Sequence, residues 1–148
     1  MITVSTRGRY GLRTMLELAL HSERGPVQLG SIAKKQGIPR RYLAQLAQDL
    51  RKAGLLRSVR GAHGGYALSR QPSKIRLIDI LVALEGPVLP VACVTRDDIC
   101  SRRAVCAAGD LWDEVRSAVV KVLQRKTLNE LAKQQARKER RYGKAVGK

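Results

Sequence analysis

Apolar positions along this chain come in helical bursts separated by glycine, proline and charge. In "GRYGLRTMLELALHSERGP", Tyr10, Met15, Leu16, Leu18, Ala19 and Leu20 form a broad apolar side, interrupted by Arg13 and Glu17 and stopped by Gly25 and Pro26. That spacing predicts a first helix. "QLGSIAKKQGIP" predicts a short second helix, with Leu29, Ile32 and Ala33 on one face and Gly37 at its end. "PRRYLAQLAQDLRKAG" predicts a third, with Pro39 in its first turn, Gly54 past its end and Leu43, Leu46, Ala47 and Leu50 as the buried stripe. The period then changes. Residues 55–59 read as a short strand, "RGAHGG" as a glycine-rich turn, and Tyr66, Ala67 and Leu68 as the returning strand.

The remaining segments return to helical spacing. "IRLIDILVALEGP" predicts a fourth helix, closed by Gly86 and Pro87. "DLWDEVRSAVVKVLQRK" predicts a longer fifth one. Its residues Leu111, Val115, Ala118 and Val122 form a heptad-like seam suited to packing on a partner helix. "TLNE" has the form of a capping box, Thr127 as cap and Glu130 at the third helical position, opening a last helix. The expected fold is mostly α with a small β-hairpin wing: a winged helix-turn-helix plus a long dimerisation helix. The "QGIP" link suits the tight turn between the second and third helices.

Charge says what such a fold would meet. The 148 residues carry a formal net charge of +17. That excess predicts a polyanionic partner, with nucleic acid first and an acidic membrane surface second. The membrane reading wants a basic amphipathic helix with exposed aromatics. The one Trp, Trp112, lies instead beside Asp110, Asp113 and Glu114. Arg7, Arg9, Arg13 and Glu17 break up the N-terminal apolar run, so neither a signal peptide nor a membrane span is expected. A cytoplasmic, reducing location follows as the expectation, under which clustered cysteines serve metal or redox chemistry. Nothing reads as catalytic: there is no nucleophile–base pair, and "GAHGG" lacks the ending of a phosphate loop. No small-molecule substrate is expected.

In a helix-turn-helix the second helix of the pair enters the major groove and reads bases near its N-terminus. Here those residues are Arg40, Arg41, Tyr42 and Gln45. Arginine can fork onto guanine and glutamine can pair with adenine. Arg60 and Gly61 form a wing tip that suits a narrow minor groove. Arg7, Arg9, Arg51, Lys52 and Arg57 are expected at phosphates, where they position without specifying. Any one of these arginines could be a mere solvated charge. The group is harder to dismiss: residues 40–70 hold seven Arg or Lys against one acid, Asp49.

All three cysteines lie in "CVTRDDICSRRAVC", at Cys93, Cys100 and Cys106. A structural disulfide conflicts with the expected compartment. Structural zinc wants four ligands and usually a tight cysteine pair, and the loop has neither. A redox relay survives, because Arg96, Arg102 and Arg103 lie among the thiols. An iron–sulfur cluster survives as well, because longer loops between cysteines can wrap a larger inorganic core.

Together "STRGRYGLRTMLELAL", "GIPRRYLAQLAQDLRKAGLLRSVRGAHGGYAL" and the three-cysteine loop resemble the Rrf-two family of bacterial transcription regulators, in its iron–sulfur-binding branch. The resemblance covers residues 2–135. It implies a homodimer crossing at the helix of Leu111, Val115, Ala118 and Val122, with each subunit offering a winged helix to a palindromic double-stranded DNA operator. It also implies one 2Fe–2S or 4Fe–4S cluster per subunit, held by Cys93, Cys100 and Cys106. Three positions depart from the pattern. Some cluster-binding members have a histidine where this chain has Gly109, and others use an aspartate where it has Arg9. The fourth ligand therefore stays open among Asp97, Asp98, Asp110, an exogenous ligand or an open iron. Ala44 stands where a recognition-helix glutamate restricts operator choice in some members, which implies that operator choice here depends less on the cluster. The expected organisation is a DNA-binding domain at 1–85, a cysteine-rich loop at 86–108, the dimerisation and C-terminal helices at 109–140, and a disordered basic tail at 141–148. Two further readings stand beside it: a metal-free thiol-redox regulator of the same fold, and a non-specific basic nucleic-acid-binding protein.

Overall fold

The structure is a computed structural model, and it describes residues 4–88, 91–94 and 100–146. In chain order the main elements are α1 (Thr6–Leu20), α2 (Leu29–Gln36), α3 (Arg40–Lys52), β1 (Leu56–Val59), β2 (Gly65–Leu68), α4 (Leu77–Glu85), α5 (Ala107–Arg125) and α6 (Leu128–Val146). This is the expected fold class, mostly helical with a two-stranded antiparallel hairpin.

Local sequence sets the boundaries. Ser5 caps α1, its hydroxyl accepting from the Gly8 N–H at 3.3 Å. Gly37 ends α2 in the left-handed region at φ 63°, which a side chain with a Cβ rarely adopts. Pro39 stands at the cap of α3, one residue before its first turn. In the hairpin, Leu56 faces Leu68 and Val59 faces Gly65. Val27 adds a short bridge on the outer side of β2, exchanging hydrogen bonds of 2.8 and 2.9 Å with Tyr66. Gly65 has φ 151°, and a Cβ there would run into the Val27 backbone. The wing can fold back this tightly only with glycine at that point.

The core lies where α1, α3, α4 and α6 meet the hairpin. Leu43, Leu46, Ala47 and Leu50 of α3 are fully buried, as the stripe predicted, with Met15, Ile75, Ile80 and Leu128 around them. Each buried leucine of this kind contributes about 2 kcal/mol over an exposed one. A charged residue shares the interior. Glu17 is 3% exposed, and its carboxylate accepts from Lys35 Nζ at 2.9 Å and Gln36 Nε2 at 2.6 Å, which holds α1 to α2. A buried carboxylate needs such partners.

Three boundaries differ from expectation. The helix α5 begins at Ala107 and not at residue 110, which makes Cys106 its cap residue. Next, α6 packs with the N-terminal unit: Leu128 and Ala132 are core residues, and Leu128 N donates to Ile75 O at 2.8 Å. Finally, residues 141–146 continue α6 where a disordered tail was expected. Excess positive charge suggested disorder, but the segment extends a helix already formed from Leu128 on, where each added residue gains a backbone hydrogen bond without a new nucleus, and the Gln135–Glu139 pair at 3.0 Å adds a rung along the helix.

Candidate DNA-binding face and cysteine loop

The helix α3 is anchored by its leucine stripe, and its opposite side is free. Arg40, Arg41 and Gln45 are exposed near its start, and Arg51 and Lys52 near its end. The Arg40 guanidinium lies beside the start of α2, where a Cβ on Gly30 would be 3.9 Å from it. Arg57 is exposed on β1, and Arg60 and Gly61 are exposed at the turn of the wing. These residues share an open basic surface without ion pairs among the described residues.

Two expected contacts sit differently. Tyr42 is half-buried, its ring edge-on to Tyr10 with centroids 6.0 Å apart, and Arg13 lies 5.6 Å over the Tyr10 ring. Tyr42 thus props α3 against α1. Arg7 is also committed inward: one terminal nitrogen pairs with Asp49 of α3, and Nε donates to Leu84 O of α4 at 2.6 Å. Arg9 stays exposed and donates to Thr6 Oγ1 at 3.2 Å.

Sequence reading missed a clamp at this corner. The Ser5 backbone N–H and hydroxyl both donate to Glu85 Oε1, at 3.0 and 2.8 Å. Arg7 bonds the neighbouring Leu84 carbonyl and reaches Asp49. The last residues of α4, which lead directly into the cysteine loop, are thereby tied through Arg7 to the helix that carries Arg40 and Gln45. Asp49, the one acid of residues 40–70, was the available signal.

Cys93 lies in the turn Ala92–Val94, Cys100 precedes a second turn at Arg103–Val105, and Cys106 caps α5. All three are free and half-buried. Helix dipoles favour an anionic ligand at the end where Cys106 stands. Three thiols are the donor type that a cluster takes, so the residues fit such a group in kind. Among the described residues, however, no three Cys, His, Asp or Glu side chains are gathered as a ligand set. Asp97 and Asp98 lie outside the described residues, as does Arg96. Asp110 accepts from Arg103 Nη1 at 2.9 Å. Arg103 also covers Gly109, where a Cβ would come 3.0 Å from the same nitrogen.

On α5 only Gly109 is buried. Leu111 is 52% and Val122 54% exposed, Trp112 is 38% exposed, Val115 is half-buried and Ala118 exposed. Among the described residues the seam is apolar and largely exposed.

A helix-turn-helix with a basic α3 and a basic wing, bridged at Val27, defines a winged-helix DNA-binding protein. Comparison with known proteins refines that class. Residues 4–134 match the family profile described as "Rrf2: Iron-dependent Transcriptional regulator". The chain is 45% identical over 129 residues to the HTH-type transcriptional regulator CymR of Bacillus subtilis, covering 87% of this chain and 88% of the relative. The solved structure of CymR, the global cysteine regulator of B. subtilis, superposes with a TM-score of 0.77 at 43% identity, over 90% of this chain and 98% of that one. The structure of T. potens IscR gives 0.76 at 40% identity, over 90% and 88%. This chain belongs to the Rrf2 family of DNA-binding transcription regulators, whose members here are regulators and not enzymes. None of its described helices is long and apolar enough to cross a membrane.

Proposed function

We propose that the chain acts in the cytoplasm as a homodimer that reads a palindromic operator, and that an iron–sulfur cluster held by Cys93, Cys100 and Cys106 tunes its affinity. The observation that carries the reading is the juxtaposition at α5. A cysteine loop runs into a 19-residue helix whose apolar seam is largely exposed among the described residues. A second copy laid along Leu111, Val115, Ala118 and Val122 buries that seam and presents two basic α3 helices together, as two half-sites require.

When bound, a cluster cross-links the loop through three thiolates and makes it sensitive to iron supply, oxidants or nitric oxide. The protein's part is to transmit the state of the loop. Residues 86–106 begin at the end of α4, which Ser5 and Arg7 clamp, and Arg7 bridges onward to Asp49 of α3. A shift at the end of α4 alters the seating of Arg40, Arg41 and Gln45. A coupling of about 1–3 kcal/mol changes operator affinity by about 5- to 150-fold.

Enrichment of duplexes from a randomised pool tests the DNA reading. A two-fold symmetric sequence is expected, and Arg40→Ala or Gln45→Ala should relax individual positions. A pool that stays random supports the non-specific binder instead. Sedimentation tests the seam: Leu111→Glu with Val122→Glu should give monomers, and a persistent dimer would refute it.

A second reading is a metal-free thiol switch, favoured by three free thiols that are not gathered as ligands and by the high identity to a cysteine regulator. Absorption separates the two. Visible bands in anaerobically prepared protein support the cluster. Colourless protein whose DNA binding responds to peroxide supports the thiols.

A further inference from the structure

A cleft of about 750 Å³ lies at the root of the wing, lined by no residue of the cysteine loop and, of the residues expected at DNA, by Arg57 alone. Its walls are the end of α1 with the following turn, the strand β2, the segment of residues 70–73 and the first turns of α6. Leu18, Leu68 and Ala132 form an apolar floor. Around the mouth stand Arg24, Arg57, Arg70 and Lys133, with Glu23 the one acid. Among the described residues none of these four cations has an ion-pair partner.

The volume falls in the range of small-molecule sites, and the lining is more polar than most such sites, which suits a charged ligand. Four cations against one carboxylate make the mouth strongly electropositive. Arg40, Arg41, Gln45 and Arg60 do not line it, so the cleft is separate from the residues expected to read bases.

We propose that this cleft binds a small organic anion, bearing carboxylate or phosphate groups on a compact apolar frame, as an effector. The anionic groups engage the four cations, and the frame rests on the floor. An occupant touches both β2 and α6, so it braces the root of the wing against the C-terminal helix. Binding therefore bears on how the wing is presented to DNA. The inference does not depend on the cluster reading, because no cysteine lines the cleft.

The test is an amide NMR titration of the full chain with citrate, and separately with pyrophosphate. Saturable shifts centred on Ala67, Leu68 and Ala136 are expected with at least one probe. Tighter binding of citrate points to carboxylate on a carbon frame, and tighter binding of pyrophosphate to phosphate. Removing two charge-assisted contacts with Arg70→Gln and Lys133→Gln should weaken binding by at least about tenfold. The pair Lys121→Gln and Arg125→Gln removes the same charge on α5 and should leave it unchanged. Shifts that never saturate, shifts spread equally over α3 and the wing tip, or equal losses in both pairs would each overturn the proposal, leaving only diffuse attraction to a basic protein.

Discussion

Neutralising Arg51 and Lys52 should change how DNA affinity responds to salt, by an amount the structure sets. Of the residues expected at phosphates, Arg9, Arg51, Lys52 and Arg57 are exposed and have no ion-pair partner among the described residues, so each is free to neutralise a phosphate. Two copies offer about eight such groups, and each releases about 0.9 of a counterion, so log K should fall with log salt at a slope of about −7. Between about 50 and 200 mM salt that is roughly a 10⁴-fold loss. The variant Arg51→Gln with Lys52→Gln leaves about four groups, a slope of about −4 and a loss of about 10²-fold. Fluorescence anisotropy with a labelled duplex, repeated across a salt series, reads both slopes. A flat response in the parent protein would refute the phosphate role of these four residues. An unchanged slope in the variant would move that role to other cations.

Other consequences can be checked separately. Gly11 of α1 packs directly against Leu84, where a Cβ would overlap the leucine; Gly11→Val should cost about 1–3 kcal/mol and lower Tm by roughly 3–10 °C, measured by calorimetry. Gly143 of α6 has open space around it, so Gly143→Ala should instead stabilise by about 0.5–1 kcal/mol. Arg7→Lys keeps the charge but cannot bond Leu84 O and Asp49 at once; a loss of about 1 kcal/mol and a narrower affinity gap between loop states are expected, whereas unchanged values would return Arg7 to the phosphate contacts. The Thr127 backbone N–H and then its hydroxyl hold the Glu130 carboxyl below its ordinary 4.5. The cap at the start of α6 is therefore fully formed above that pH and lost as pH falls through the lowered value, so the Thr127 amide shift should titrate with a midpoint below 4.5.

Periodicity carried the helices and the hairpin because the core depends on it. Leu43, Leu46, Ala47 and Leu50 could be read as one stripe, and they are one. The box of Thr127 and Glu130 was equally legible, since both partners lie within one turn. Contacts between distant segments were not legible. Arg7 looks like any basic residue until the fold brings Asp49 and Leu84 beside it. Glu17 looked like a solvated interruption of an apolar run, because Lys35 and Gln36 reach it only once α2 has folded across α1. The end of α6 differs from the expected disorder because a helix already begun at Leu128 carries on through it, which charge density does not show.

The proposed coupling runs from the cysteine loop through the end of α4 to DNA affinity. Its most direct test is anisotropy on the palindrome enriched from the random pool, using protein loaded anaerobically with iron and sulfide and the same protein after chelation. A difference of about 5- to 150-fold is expected, and it should shrink when Cys93, Cys100 and Cys106 are changed to serine. Equal affinities for the two forms would contradict the claim, leaving a winged-helix regulator whose cysteines do not govern its binding.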